Sequence, residues 1–348
     1  MKQNYVIDLK VDSEYIDFFM LKSIEIKIGS NKKQYLDILV GDSSGEISGK
    51  KWDLADEEIP YLQTLKIGEF VKIKGLVTEW KSMRQIRISK IRRAGAEDGL
   101  NMSDFIRTAP EASEDMFAFL EQRAQRINDN DLCKLSLRLL NDNKERLMYY
   151  PAAQKNHHAE RGGLLYHIKR MLMAGDKLCE IYTNLNADLV ATGVIMHDME
   201  KLNEIVANEL GIADGYSTEG KLLGHIIMGV NRIGDLCHEL EIPQEKTLML
   251  QHMILSHHYE PEFGSPKKPM FPEAELLHYL DILDAKMYDM EYALKAVNAG
   301  EFTERIRSMD GRMLYKSSLD FTGTGESISA NSIKNSDCVD EDEYESQD

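Results

Sequence analysis

The chain has 348 residues, 43% hydrophobic and 29% charged, the balance of a water-soluble globular protein with room for more than one core. Its net charge of −17 excludes a nucleic-acid binder that uses its whole surface. That charge is uneven, however: residues 1–95 carry 17 Lys+Arg against 14 Asp+Glu, and the remaining 253 carry 25 against 45.

Because salt limits each charge to roughly 8–10 Å, a local basic surface can still hold phosphate chains. No apolar run approaches the ~20 residues needed to cross a bilayer, and "MKQNYVIDLKVDSE" lacks the apolar centre of a signal peptide. Cys133, Cys179, Cys237 and Cys338 form neither a disulfide framework nor a C-x-x-C zinc pattern. A cytoplasmic protein without a membrane partner is expected.

The first elements read as strands. "FFMLKSIEIKIG", "QYLDILVGD", "GEISGKKWD", "EFVKIKGLVTEW" and "RQIRISKIRR" alternate apolar and polar residues, or form β-rich runs broken by Gly, Asp and Ser. "VGDSSGE" predicts a hairpin between the second and third, and "LADEEIPYLQTLKIG" a short helix between the third and fourth. Five strands with that insertion follow the order of an OB-fold barrel. A small β-barrel without a ligand is the plainer alternative.

From about residue 100 the period becomes helical. "EDMFAFLEQRAQRI", "DLCKLSLRLLNDNKERLM", "GGLLYHIKRMLMAGDKLCEIY", "DLVATGVIMHD", "GKLLGHIIMGVNRIGDLCHEL", "QEKTLMLQHMILSHH" and "PEAELLHYLDILDAKMYDMEYALKAV" space apolar residues by three and four. Pro272 suits the first turn of the last helix. The expected fold is therefore multidomain, β followed by all-α. Residues 1–95 form the barrel, 96–150 a helical linker or start of the helical domain, and 151–310 the functional helical domain. Residues 320–348, Ser-rich and acidic, are expected to be a disordered tail.

Chemistry concentrates in the helical part, where all ten histidines fall between 157 and 278. His238 ends "LCHEL", where a helix C-terminus favours it. The others of interest sit among core-like residues: His167 after "GGLLY", His197-Asp198 at the end of "VIMHD", His225 in "LLGHII", His257-His258 closing "MILSHH" and Asp281 in "LLHYLDILDA". Buried unpaired, each would cost several kcal/mol, on the order of 2–7. A divalent cation is a common partner, and imidazole with carboxylate suits Mn, Fe, Co, Ni or Zn better than Ca.

This order of residues resembles the HD-domain phosphohydrolase superfamily over roughly residues 150–300. The resemblance implies that His167, His197, Asp198 and Asp281 hold one ion. Asp198 would bridge to a second, held by His225 and one of His257 and His258, with His257 favoured and His258 nearer substrate. Asp284 competes with Asp281, which is preferred because it precedes "xxDA". Lys201 stands at the lysine of the family's H-D-x-G-K pattern, suited to a phosphate oxygen. Here "HDMEK" places Glu200 where glycine is usual, and a surface Lys201 paired with Glu200 or Glu204 is the plainer reading. "SHHYEPEFGSPKKP" adds Lys267 and Lys268, for phosphates or as a solvated loop. His157 or His158 in "NHHAERGG" would face the substrate entrance or serve structurally.

An OB-fold binds single strands with aromatic platforms and a basic groove. Trp52 beside Lys50-Lys51, and Trp80 beside Lys81 and Arg84, suit such a face, extended by Arg87, Arg92 and Arg93. Alternatively, Trp52 plugs the barrel. An OB-fold followed by an HD domain resembles the YhaM-type 3′–5′ exoribonucleases of bacteria. The match runs through "YLDILVGDSSGEISGKKWD", "NHHAERGGLLYH", "MHDMEKL", "LLGHI", "MILSHHYEPEFGSPKKP" and "LLHYLDILDAKM". It implies a metal-dependent hydrolase, typically using Mn, that trims single-stranded RNA, and in some cases single-stranded DNA, from the 3′ end. A homo-oligomer is compatible with all of this.

Overall fold

The computed structural model describes residues 2–29, 32–52, 54–80, 83–154, 158–295, 297–306 and 309–319. His157, Lys81 and the acidic tail at 320–348 lie outside the described residues. Five strands, β1 (Glu14–Ile28), β2 (Gln34–Asp42), β3 (Gly45–Lys51), β4 (Phe70–Trp80) and β5 (Met83–Arg93), close into a barrel in the order β1-β2-β3-β5-β4. All neighbours are antiparallel except β3 with β5. Alternation drives closure: Leu36, Ile38 and Val40 of β2 and Val71, Ile73 and Val77 of β4 point into one buried core with Phe19, Leu21, Ile86 and Ile88.

The short helix expected between the third and fourth strands is α1 (Ile59–Leu62), with Leu62 and Leu65 buried in the barrel core. Gly75 sits at a register shift between β4 and β5, where a Cβ would lie 2.6 Å from Ile86 Cγ2. No side chain fits there.

Strand β1 begins four residues before its expected start. Glu14 to Met20 pair with Leu76 to Phe70 of β4, and from Met20 onward the strand pairs with β2. The four added residues, Glu14 to Asp17, set two acids around Tyr15 and Ile16 without apolar alternation, so the pairing reveals them. The segment before it is fastened by buried charge. Lys2 pairs with Asp42 at 2.9 Å, and Asp17 accepts from the backbone of Gln3 and Asn4.

The helical part comprises α2 (Ser113–Gln125), α3 (Asn130–Leu147), α4 (Gly163–Ile181), α5 (Ala187–Met196), α6 (Lys201–Glu204), α7 (Thr218–Glu239), α8 (Gln244–Ser256) and α9 (Pro272–Lys295). A hairpin of β6 (Ile205–Ala207) and β7 (Ala213–Tyr216) interrupts them, which periodicity did not anticipate because its strands are so short. Helix α5 starts on Asn186, whose side chain accepts from the Asp188 and Leu189 backbone N–H groups. It is buried at every position from Leu189 to Met196, so His197-Asp198 emerges from the centre of the core. Phe18 and Met20 of the barrel pack with Phe105 and Ile106 of the connector and with Leu210 and Ile212.

Chain contacts divide the protein into Met1–Tyr292 and Ala293–Asp348. In the second unit, Phe302 bridges Tyr315 and their rings lie 5.0 Å apart. No helix among the described residues is long and apolar enough to cross a membrane.

Candidate metal centre and nucleic-acid face

Helices α4, α7 and α9 and the turns after α5 and α8 bring the expected histidines and aspartates together. Asp198 is at the centre, 1% exposed. Its Oδ2 lies 3.3 Å from His197 Nε2 and 3.7 Å from His167 Nε2, and its Oδ1 lies 3.4 Å from His225 Nε2 and 3.9 Å from His257 Nε2. Asp281 faces the same space, 3.4 Å from His167 Nε2 and 3.8 Å from His258 Nε2.

Each imidazole is turned by a bond at its other nitrogen. Nδ1 of His197, His257 and His258 donates to the Val194, Ile254 and Phe263 carbonyls, at 2.8, 2.7 and 2.7 Å. Nδ1 of His225 donates to Glu204 Oε2 at 2.9 Å, and that of His167 to Asp284 Oδ2 at 2.8 Å. With the proton fixed on Nδ1, every Nε2 lone pair faces inward.

The donors fit a divalent cation. Nε2 of His197, His225 and His257 and Oδ1 of Asp198 are buried and have no well-aligned hydrogen-bond partner. Leaving such groups unsatisfied costs about 1–3 kcal/mol each. Their 3.3–3.9 Å separations are long for hydrogen bonds. Two ligands each ~2.1 Å from one ion, at 90–110°, lie roughly 3–3.5 Å apart. Two overlapping groups, Asp198-His225-His257-His258 and His167-His197-Asp198, each gather their donor atoms within 4.8 Å.

Burial opposes a charge on His167, but Asp281 and Asp284 raise its pKa to about 9, so an arriving cation must displace its second proton. At the other groups electrostatics favours the same states. Burial alone would raise the carboxyl pKa of Asp198, yet Lys201 foremost, then His197 and His225, hold it well below the usual range. Burial would likewise raise Asp281, and His167 more than reverses that. Burial, then neighbouring His258, pushes His257 well below the ordinary imidazole value, keeping it neutral.

Lys201 is not the surface residue of the plainer reading. It is 8% exposed, and its Nζ lies 2.6 Å from Asp198 Oδ2. Burial opposes its charge, but Asp198 raises its pKa overall. Glu200 takes ordinary right-handed angles, φ −76° and ψ −3°, so no glycine is required there; its carboxylate accepts from Asn203. The kink falls elsewhere: Gly224, φ 70° and ψ 161°, breaks α7 and aims His225 inward. The freed His225 N–H donates to Glu204 Oε1 at 3.2 Å.

Asp284 stands behind the centre. Its carboxylate accepts from His167, from His158 Nε2 at 2.7 Å and from Arg170 Nε at 2.6 Å, leaving Asp281 to face the cluster. His158 is fully buried and away from any entrance. Lys267 is exposed, whereas Lys268 lies over the Tyr259 ring and 3.7 Å from Glu260. Glu204, Asp284 as orienter, and Gly224 were missed by sequence reasoning. The acid three residues after Lys201 and the glycine before His225 were their only local signals.

On the barrel, the expected basic residues divide. Trp52 is 46% exposed and does not plug the barrel; it stacks on Tyr35 with centroids 4.5 Å apart, and Lys50 lies 5.7 Å from both rings. Arg87, opposite Lys50 across β3–β5, is exposed on the same side. The other cations are engaged: Lys51 with Glu58, Arg84 with the Leu9 carbonyl, Arg92 with Asp98 and Arg93 with Glu69. Lys51 has the inward parity of Ile47 and Gly49, which sends it to the barrel end. Trp80 is exposed at the β4–β5 turn, beside Met83. From the β3–β5 register it lies six residues, about 20 Å, from Trp52, so the two do not form one platform.

A closed OB-like barrel followed by a helical centre of histidines and aspartates defines an HD-type hydrolase. The HD domain family matches residues 164–286, and such a domain implies divalent-metal binding. The chain is 39% identical over 299 residues to the "3'-5' exoribonuclease YhaM" of Halalkalibacterium halodurans, covering 86% of this chain and 92% of that protein. It is 39% identical over 302 residues to the protein of that name from Shouchella clausii, covering 87% and 93%. Among solved structures, the second OB-fold domain of replication protein A from Methanococcus maripaludis matches at 15% identity and a TM-score of 0.22, covering 27% of this chain and 94% of that one. The chain belongs to the YhaM family of 3′-5′ exoribonucleases.

Proposed function

We propose that this chain trims single-stranded RNA from its 3′ end in the cytoplasm, using manganese, and accepts single-stranded DNA as a second substrate. Iron, cobalt, nickel and zinc are the other ions suited to its donors. The single observation that carries the reading is the convergence of five imidazole Nε2 atoms on Asp198 and Asp281. The division into residues 1–95, 96–150 and 151–310 is kept as a working one.

In this reading His167, His197, Asp198 and Asp281 would hold one ion, and Asp198, His225 and His257 the second. Two bound divalent cations supply charge neutralisation for the phosphodiester and acidify an attacking water. The chain's own residues do the rest. Nδ1 bonds keep the imidazoles aimed, burial keeps His257 neutral, and Asp198 stays ionised. Lys201, held against Asp198, places a fixed ammonium where a phosphate oxygen arrives. His258, the most exposed of the imidazoles with 23% of its side chain open, lies on the strand's side of the centre. Trp52, with Tyr35 behind it, stacks bases, and Lys50 and Arg87 hold phosphates, with Trp80 and Lys267 at the margins.

The test incubates the protein with Mn2+ and 5′-labelled single-stranded RNA, beside a panel of free nucleotides. A ladder of shortened RNA that vanishes with chelator and in Asp198→Ala is expected. Phosphate release from nucleotides alone would sink the reading in favour of a nucleotide phosphohydrolase. Retained RNA binding without turnover would make the chain a binding protein.

A further inference from the structure

Behind the metal centre, Asp284 is backed by a second set of buried and half-buried groups, His158, Tyr288 and Arg107. Asp284 itself binds His167 Nδ1, His158 Nε2 and Arg170. The ring of His158 packs on that of Tyr288, centroids 4.0 Å apart, and its Nδ1 lies 4.0 Å from Glu160. The Tyr288 hydroxyl donates to Glu160; burial first, and that carboxylate second, push its pKa above the ordinary phenol value. The same hydroxyl accepts from Arg107 at 3.1 Å. Arg107 belongs to the connector between barrel and helices, where its guanidinium lies 3.9 Å from the Tyr292 ring and its carbonyl accepts from Arg161 N at 2.8 Å.

Two observations argue that this set is more than packing. His158 has φ 54°, the left-handed region, in a fully buried non-glycine residue. Such strain costs on the order of 1–3 kcal/mol and persists where surrounding bonds over-determine it. Further, His158, His167 and Asp284 bring their donor atoms close enough for a cation, yet both ring nitrogens sit 2.7–2.8 Å from one oxygen. Those are hydrogen-bond lengths, filled by protons, and Arg170 already neutralises the other oxygen.

We propose that His158, Tyr288 and Arg107 are positioning residues for the metal centre, not ligands or substrate contacts. They fix the Asp284 carboxylate, which fixes the tautomer and ring of His167. The inference rests on the metal-dependent reading above. Outer partners of this kind change metal affinity by about 10–100-fold when removed.

The experiment measures Mn2+ binding directly, from the paramagnetic resonance of free Mn2+, for the full chain and for His158→Ala, His158→Gln and Tyr288→Phe. The Mn2+ dependence of RNA cleavage is followed in parallel. His158→Ala is expected to bind Mn2+ at least ~10-fold more weakly. Its KM for RNA at saturating Mn2+ should be unchanged, and His158→Gln, which restores a donor to Asp284, should recover part of the loss. Tyr288→Phe keeps the ring, so it carries the test if His158→Ala fails to fold; a several-fold weakening is expected. Variants that bind Mn2+ like the parent, or lose RNA affinity at saturating Mn2+, overturn the proposal. A parent chain that binds no Mn2+ overturns instead the metal-dependent reading.

Discussion

Replacing Gly224 with alanine tests whether the break in α7 aims His225. At φ 70° and ψ 161° the residue lies where only glycine is at ease, and alanine there costs about 1–3 kcal/mol. Space is not the obstacle, since the new Cβ meets nothing nearer than Glu204 Oε1 at 3.6 Å. If the helix straightens to escape that cost, His225 gives up both contacts with Glu204, at 2.9 and 3.2 Å. Bonds to a charged group are each worth about 1.5–3 kcal/mol, so neither route is cheap. We expect Gly224→Ala to lose roughly 2–3 kcal/mol in urea unfolding under chelator. Manganese binding should weaken by ~10-fold or more, as for other changes behind a ligand. Gly234→Ala in the same helix is the control. Its Cβ meets only the flexible end of Gln251 at 2.8 Å, and helix propensity favours alanine by about 1 kcal/mol. Equal behaviour of the two variants, or undiminished Mn2+ binding in Gly224→Ala, would refute the aiming role.

Lys201→Met removes the partner of a buried carboxylate and should destabilise the metal-free protein by about 3 kcal/mol. Its Mn2+ binding should be no weaker than the parent's, because a competing cation is gone; calorimetry checks both. Trp52→Ala or Tyr35→Ala should raise KM for RNA by the ~1–3 kcal/mol of one stacked base, with hydrolysis of a small phosphodiester unchanged. Lys50→Ala and Arg87→Ala should each reduce the salt dependence of RNA binding, read from titrations at several ionic strengths. Burial lowers His158 to about 4, against the opposing bond from Asp284. The unfolded chain therefore takes up a proton that the folded one refuses, and stability present above pH ~6.5 is lost as pH falls towards 4. The loss is at most ~3 kcal/mol. Urea unfolding under chelator at several pH values should slope less in His158→Gln.

Much of the fold was legible because burial repeats. Barrel strands expose themselves through period-two alternation at Leu36, Ile38 and Val40, and the helices through spacings of three and four. What stayed hidden lacked a local signature. The start of β1, Glu14 to Asp17, does not alternate, the β6–β7 strands are three and four residues long, and the N-terminal segment is held by the Lys2–Asp42 and Asp17 contacts. On the barrel face, composition marked Lys50, Lys51, Arg84, Arg92 and Arg93 alike. Only parity and partners separated Lys50 from the four engaged in structural bonds.

The sequence by itself determined the chemistry: which residues carry imidazole and carboxylate, their order along the chain, and the apolar helices that force them into one interior. It did not determine orientation. Asp281 and Asp284 are one turn apart on the same side of α9, so spacing could not choose between them. The choice came from His158 and Arg170, and from His167, 117 residues away, all binding Asp284. Likewise, which nitrogen of each histidine faces the centre was set by carbonyls and carboxylates at its back, some local and others reached only on folding. Hydrophobic periodicity encodes which face of an element is buried. The direction of a buried polar group depends on partners that the chain meets only after it has packed.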